Sequence, residues 1–540
     1  MVGDRARRVK CDERKPKCDR CIRFGWDCEG YASDIETFNP LPAKGTSRKL
    51  IPKSTPYPGL GRARICPGPI FTDEFQSRYF RYYCEELAAQ LRGPNVTSLW
   101  DRIVPQSGEA EPFIVHAIVA LGALSKSQTT HWLRGSSQDP LVIDSHHQYA
   151  LIQYGKALRG MRLAIENQTR DRRKALIACL LVFCFECLLG RQSAASAYAS
   201  SGVSLLYSCH VDKLSPSALI EDDVYSAFSG LDLQSLILVN TQSLATHQNL
   251  KEDINVVLRL MPETFTKLKE CRTFWQLIMR RNLHFLANAN AQVRAWESSK
   301  EEASTSECLD LKNSNNPCGV SYVVPENIPY ELVQERDQYL ADIRSWEVAC
   351  APVFSRSKKM GSEDNIVVIL LKIHAAMTTI MVAQTFHQVH PPELVYDDYL
   401  SEWIAIVELC SSIKELLNDC SPSFRRASFR FDIGVLPALA ATGSNCRNKK
   451  VRDQAIEMLL SSPGYREGVW DAVSIGTICD WKRSLEEEFI DENGHIPGNK
   501  RATMSKVKLS LQDRTADVAV KQWMGDDKDD FVVREALLRW

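Results

Sequence analysis

The sequence lacks a long hydrophobic run and lacks a large excess of charge of either sign. Its longest apolar run, 175–189, is too short to span a bilayer and contains Glu186. A longer stretch, 366–389, contains Lys372 and two histidines and is typical of an amphipathic core helix. The N-terminus is basic and has no apolar segment of the kind that forms a signal peptide. With a formal net charge of −1 over 540 residues, we expect a soluble intracellular protein without a membrane span.

The sequence also lacks the common catalytic motifs. It contains no P-loop, no G-x-S-x-G and no H-E-x-x-H. The one G-x-G, at 59–61, lies in a proline-rich stretch without the strand and helix that a phosphate-binding loop needs. His387 and His390 have no third metal ligand nearby, and Cys184 and Cys187 lie in an apolar run that favours packing. We therefore expect no enzyme activity, and an enzyme of another type is the alternative.

Cysteine is plentiful, with 18 residues, but only the first four are clustered. Scattered thiols in apolar runs indicate free cysteines in a reducing compartment and not a secreted disulfide framework. Thiolates bind zinc strongly, and zinc can fold a segment that is too short to build an apolar core. The clustered residues, spaced C-x6-C-x2-C-x6-C, are the candidate zinc ligands Cys11, Cys18, Cys21 and Cys28.

Basic side chains surround this cluster. Between residues 5 and 23 there are nine lysines and arginines against three carboxylates, a local balance of 9 − 3 = +6. Clustered cations complement the phosphate backbone of a nucleic acid. A metal-folded module with this charge predicts a nucleic-acid-binding tip on a near-neutral body.

The stretch from Arg5 to Tyr31, including Lys15-Pro16-Lys17-Cys18, resembles the fungal zinc binuclear cluster (Zn2Cys6) transcription factors. Their module reads C-x2-C-x6-C, a loop, then C-x2-C-x6-C. The resemblance implies that the four clustered cysteines are the third to sixth ligands of the cluster and that zinc is the cofactor. It also implies a nuclear regulator of RNA polymerase II transcription. Its short helix would enter the major groove of double-stranded DNA, over a CGG-like triplet.

The same resemblance implies the DNA contacts. Arg7 and Arg8 stand where the base-reading cations of the family sit, with Lys10 beside them, and such side chains suit the O6 and N7 acceptors of guanine. A solvated basic face is the alternative. Other cations of the module are expected to contact phosphates, which fix the register without reading the sequence: Arg5, Lys15 and Lys17.

The match departs from the family at its start, because the first two cysteines of the pattern would fall on Met1 and Asp4. Without them one zinc keeps two thiolates and the other keeps three. Three explanations stay open. The true start or an exon lies upstream; the module has decayed in a regulator that no longer binds DNA; or a one-zinc variant forms, completed by Asp4 or Cys11. Four cysteines without any metal is a further alternative.

The remainder of the chain predicts a linker and a large helical body. Residues 32–70 are rich in proline and are expected to be extended or disordered, and no heptad repeat follows them, so the oligomeric state stays open. Residues 71–540 show apolar positions at three- and four-residue steps and few alternating patterns, which predicts an all-α domain. The expected helices are 71–91, 111–124, 144–165, 172–189, 193–209, one opening at 228–234, 264–297, 329–348, 364–389, 397–417, 451–460 and 465–488.

This body resembles the regulatory middle homology region of the same fungal factors. Four features carry the resemblance. The first two are the aromatic first helix and the segment 101–104 that precedes Glu111-Pro112-Phe113. The other two are the segment 228–234 and the helix that contains His146, Gln148, Tyr149 and Tyr154. It implies a domain that regulates DNA binding or recruits the transcription machinery, with a metabolic or secondary-metabolite gene cluster as the suggested target. A helical interaction protein that does not bind DNA is the rival. The last residues, 526–540, are expected to form a terminal amphipathic helix, with an activation segment as the alternative.

Overall fold

The computed structural model describes most of the chain from residue 71 onward. The predicted zinc module at 1–31 and the predicted linker at 32–70 lie outside the described residues, so their boundaries stay predictions. All described residues belong to one unit, Cys66–Trp540. The described ranges are 71–95, 97–134, 144–166, 172–210, 222–238, 242–303, 328–357, 362–386, 392–420, 427–492, 494–525 and 530–540.

Helices dominate these ranges and pack largely against their neighbours in sequence. The first is nearly continuous, with α1 Glu74–Tyr82, a π-helical turn Tyr83–Leu87 and α2 Ala88–Arg92. The others are α3 Val104–Ala110, α4 Pro112–Arg134, α5 Ser145–Glu166, α6 Arg172–Leu189, α7 Gln192–His210, α8 Asp223–Leu238, α9 Leu244–Leu258, α10 Leu268–Ala303, α11 Tyr330–Ser357, α12 Ser362–Ala383, α13 Leu400–Leu416, α14 Leu436–Asn445, α15 Lys449–Leu460 and α16 Ala472–Glu487.

The core is built around α6, which is apolar on every side. Every residue from 176 to 188 is buried, and α6 packs against α4, α7 and α8. A helix that is hydrophobic on all sides has no polar face to expose to solvent, so it is buried in the core of the protein. The one carboxylate in this stretch, Glu186, accepts a hydrogen bond from the Tyr154 hydroxyl. The main cluster of buried apolar side chains reaches from Tyr79 to Cys479.

Helix α12 is the second apolar helix of the body. By length and composition alone it would suit a membrane span, but 61% of its apolar window is buried inside the fold. It packs against α10, α11, α13 and α14. His374, on this helix, is buried and makes a 2.8 Å hydrogen bond through Nε2 to the carbonyl of Gly434. These contacts are those of a core helix, as the sequence predicted for 366–389.

A small three-stranded sheet precedes α16, where the sequence predicted a helix from residue 465. Its strands are β1 Phe429–Arg430, β2 Arg466–Glu467 and β3 Trp470–Asp471, with β1 and β2 parallel and β2 and β3 antiparallel. The turn between β2 and β3 places Gly468 at a φ of 54°, which favours glycine. The helix begins only after Asp471, whose side chain accepts a 3.0 Å hydrogen bond from the N–H of Ser474.

The chain ends in an antiparallel sheet of three nine-residue strands. These are β4 Ala502–Ser510, β5 Thr515–Trp523 and β6 Phe531–Arg539, in the spatial order β4-β5-β6. The even-numbered face of β5 is buried, with Ala516, Val518 and Val520 fully covered, and the sheet packs against α16.

The terminal helix expected at 526–540 is therefore wrong, since 531–539 form a strand. The sequence Phe531-Val532-Val533-Arg534-Glu535-Ala536-Leu537-Leu538-Arg539 contains two β-branched residues and pairs along its whole length with β5. Pairing with the preceding strand, β5, overrides the helical preference of alanine, leucine and arginine. The all-α prediction is confirmed for the large majority of the described body, and the C-terminal sheet is the addition to it.

Candidate functional site

The residues that the sequence predicts as functional lie outside the part of the chain that the structure describes. These are the zinc ligands Cys11, Cys18, Cys21 and Cys28 and the DNA-contacting residues Arg5, Arg7, Arg8, Lys10, Lys15 and Lys17. Their roles stay predictions. Two other cysteines that the sequence singled out, Cys184 and Cys187, are buried in α6. Their burial raises the pKa of each thiol. Such thiols are inert packing groups. His387 and His390 also lie outside the described ranges.

Within the described ranges, no group of three or more His, Cys, Asp or Glu is placed to hold a metal ion. The body does contain buried polar clusters that the sequence did not reveal. One lies between α8 and α10, where the carboxylate of Asp232 accepts hydrogen bonds from Arg280 Nε at 2.9 Å and Gln242 Nε2 at 2.9 Å. His284 Nε2 is 3.2 Å from the same carboxylate, and its Nδ1 is 2.9 Å from Nδ1 of His247.

The charges in this cluster are balanced. Burial opposes ionisation of Asp232, but the Arg280 guanidinium and the hydrogen bond from His284 hold the pKa of that carboxyl well below its usual value. Burial, and then the neighbouring His284, lowers the pKa of His247 to about 4. His247 is therefore neutral at physiological pH. The arrangement satisfies buried polar groups and joins α8, α9 and α10.

A second cluster joins the C-terminal sheet to the helices. Glu486, at the end of α16, lies 2.6 Å from Arg447 and 2.7 Å from Arg452, and it accepts the N–H of Ala502 at the start of β4. Arg501 pairs with both carboxylate oxygens of Asp397, at 2.9 and 2.7 Å. The buried Lys482 and Glu393 complete the cluster, 3.6 Å apart.

A small cavity of about 50 Å³ lies between α8, α10 and α12. Its polar lining includes Asp432, which accepts hydrogen bonds from Asn95 at 2.6 Å and Arg272 at 2.9 Å. Ligand pockets for drug-sized molecules usually measure about 300–1,000 Å³. This cavity has room for a few waters and not for an effector of that size.

Comparison with known proteins identifies the N-terminal segment. Residues 5–36 match the family model of the Fungal Zn(2)-Cys(6) binuclear cluster domain. The match covers the four clustered cysteines and begins after Met1 and Asp4, where the first two cysteines of the pattern would fall. No solved structure matches the chain.

Two curated relatives are fungal regulators. The chain is 24% identical over 223 residues to "Transcription regulator lscL" of Purpureocillium lilacinum, covering 38% of this chain and 48% of the relative. It is 27% identical over 246 residues to "Aspercryptin biosynthesis cluster-specific transcription regulator atnN" of Emericella nidulans, covering 43% and 38%. The chain thus spans less than half the length of these relatives. Both matches are longer than residues 1–70, so they extend into the helical body. Residues 5–36 thus match the fungal Zn(2)-Cys(6) binuclear cluster domain, a domain that binds zinc.

Proposed function

We propose that this protein is a sequence-specific DNA-binding transcription regulator that acts in the nucleus at RNA polymerase II promoters. The observation that carries the proposal is the match of residues 5–36 to a zinc cluster domain. The names of the two relatives support it, because both are transcription regulators. No catalytic step is part of the proposal.

In this proposal zinc, bound by the clustered cysteines, folds the N-terminal module that binds DNA. Cys11, Cys18, Cys21 and Cys28 are the ligands. Arg7, Arg8 and Lys10 read base edges in the major groove, where a bidentate contact from arginine to guanine is the commonest specific interaction. Phosphate contacts hold the module in register, and they come from Arg5, Lys15 and Lys17.

The helical body regulates this binding and recruits the transcription machinery. The similarity to both relatives extends beyond the zinc module, which supports a shared regulatory role for part of the body. One relative is named as specific to a biosynthesis cluster. We therefore assign to this chain the control of a metabolic or secondary-metabolite gene cluster.

The test is a mobility shift with the full chain on a duplex that contains a CGG triplet. The double variant Arg8→Ala, Lys10→Ala is expected to weaken binding about tenfold or more and to relax the preference for the triplet. Lys15→Ala is expected to weaken binding on every sequence and to reduce the salt slope by about one. The control is Lys450→Ala, an exposed lysine on α15, which should leave binding unchanged. Binding that survives the double variant unaltered contradicts the assignment.

The aspartate at position 4, where the family pattern has a cysteine, favours a second candidate, a helical interaction protein that does not bind DNA. Zinc per chain separates the two candidates. Two ions mean that the cluster assembles on the ligands present, and one ion indicates the one-zinc variant. A chain without zinc that ignores duplex DNA supports the second candidate.

A further inference from the structure

The C-terminal sheet has two edges that differ in character. On β4 the register is interrupted by a bulge between Met504 and Lys506, and the exposed Lys506 and Lys508 follow it. Bulges and lysines are the usual devices that stop an edge strand from pairing with another chain. The edge of β6 has neither: it pairs with β5 without interruption and contains no lysine and no proline.

The alternation of hydrogen bonds shows which backbone groups of β6 face away from β5. The N–H of Trp540 donates to the carbonyl of Arg514, and the N–H of Met524 donates to the carbonyl of Asp530. Both bonds follow the strand register, so the even-numbered residues of β6 bond to β5. The odd-numbered residues therefore direct their N–H and C=O groups outward, where the described residues add no further strand to the sheet. These are Phe531, Val533, Glu535, Leu537 and Arg539.

The same odd-numbered residues carry exposed apolar side chains. Leu537 is 58% exposed and Val533 is 52% exposed. A long, regular strand with unpaired backbone groups and exposed branched side chains is a template for a further strand. Covering it would satisfy the outward N–H and C=O groups and remove apolar surface from water.

We propose that the β6 edge is an interface for a second copy of this chain, with the two β6 strands antiparallel across a two-fold axis at Leu537. The strand is complementary to itself in that register. Glu535 of each copy lies opposite Arg539 of the other copy, which gives two ion pairs, and the two Leu537 side chains lie opposite each other. All three positions direct their backbone groups outward, so they form hydrogen-bonded pairs. A register centred on Glu535 would place two carboxylates opposite each other, which is destabilising. The interface is isologous and joins two copies.

The test is sedimentation velocity of the full chain without DNA, so its outcome does not depend on the proposed function. We expect a dimer at micromolar concentration. Leu537→Lys should weaken the dimer about tenfold or more, because it places two cations together at the two-fold axis. The side chain of Leu537 is exposed, so a thermal melt of the variant is expected to match the parent chain.

Charge reversal fixes the register. Glu535→Arg alone and Arg539→Glu alone should each weaken the dimer, and the two changes together should restore it. Lys508→Glu, on the opposite edge of the same sheet, is the matched control and should change nothing. A parent chain that stays monomeric, a dimer that Leu537→Lys leaves intact, or a double reversal that does not restore association each overturns the proposal.

Discussion

The carboxylate of Glu467 lies fully buried at the start of α14 and accepts four hydrogen bonds. The backbone N–H groups of Gly434, Val435 and Leu436 each donate at 2.9 Å. The Tyr465 hydroxyl donates at 2.9 Å. Burial raises the pKa of Glu467, and the backbone hydrogen bonds oppose that rise. An acceptor with this geometry satisfies N–H groups that the first turn of a helix leaves open.

Replacing this acceptor should destabilise the body. Glu467→Gln places an amide NH2 against backbone donors, and at least one buried N–H loses its partner. We expect a loss of about 2–3 kcal/mol in the free energy of unfolding, in the range that an unsatisfied buried group costs. Urea unfolding of the full chain measures it. Glu457→Gln, at an exposed position on α15, is the control and should stay within about 0.5 kcal/mol of the parent. Equal stabilities for the two variants would contradict the role of Glu467.

At the scale of elements, buried charges join the last helices to the sheet. Burial disfavours the ionised form of Glu486, but Arg447, Arg452 and Lys482 outweigh it and lower the pKa of Glu486 from 4.5 to about 2. A carboxyl whose pKa is lower in the folded state than in the unfolded chain stabilises the fold at pH values above its unfolded pKa. That stabilisation is lost as the pH falls through the folded pKa. The relevant window therefore runs from about pH 4.5 down to about pH 2.

Glu486→Gln should reveal this dependence. At pH 7 the variant leaves buried cations without their shared partner, and we expect a loss of about 3–5 kcal/mol. The difference in the free energy of unfolding between variant and parent should narrow as the pH falls from 4.5 to 3. In this range Glu486 is protonated in the unfolded parent but still ionised in the folded parent, which favours unfolding of the parent. Unfolding midpoints across this range measure the effect. Glu488→Gln, which breaks a surface pair with Arg534, should cost less than about 1 kcal/mol at any pH. If the difference in the free energy of unfolding between Glu486→Gln and the parent chain did not depend on pH, the lowered pKa of Glu486 would be contradicted.

Local pattern predicted the helices better than the sheet. The helix 172–189 was predicted to the residue, because its apolar run and flanking arginines and glycine are continuous in sequence. Helices α9 and α14 were not predicted. The strand β6 was assigned to a helix, because its pairing with β5 is specified by residues 8 to 24 positions away in the chain. Such long-range pairing leaves only a weak local signal.

The same distinction separates the two kinds of site. The four candidate zinc ligands lie within 18 positions, so their spacing alone predicted them. The cluster around Glu486 joins residues that lie as far apart in the sequence as Glu393 and Arg501. No sequence motif marks any of its ion pairs. The packing of α14, α15 and α16 against one another, and of α16 against the sheet, brings them together.

For the whole molecule, zinc and the helical body are expected to be independent. No metal-binding group was found among the described residues of the body, and its core is an apolar cluster. Removal of zinc from the full chain by a chelator should abolish DNA binding while the far-UV circular dichroism and melting of the helices stay the same. Restored zinc should restore binding. A loss of helical signal together with the metal would show that the body depends on it.

The difference between the two sheet edges also sets the size of any assembly. Once two β6 strands pair, the edges of the joined six-stranded sheet, as far as the described residues form it, are the two copies of β4. Each is interrupted by its bulge and carries Lys506 and Lys508. Growth into a filament would need those ends to accept another chain, and like charges would face each other there. Association by this route is therefore self-limiting, and concentration should drive the chain towards pairs and not towards fibrils.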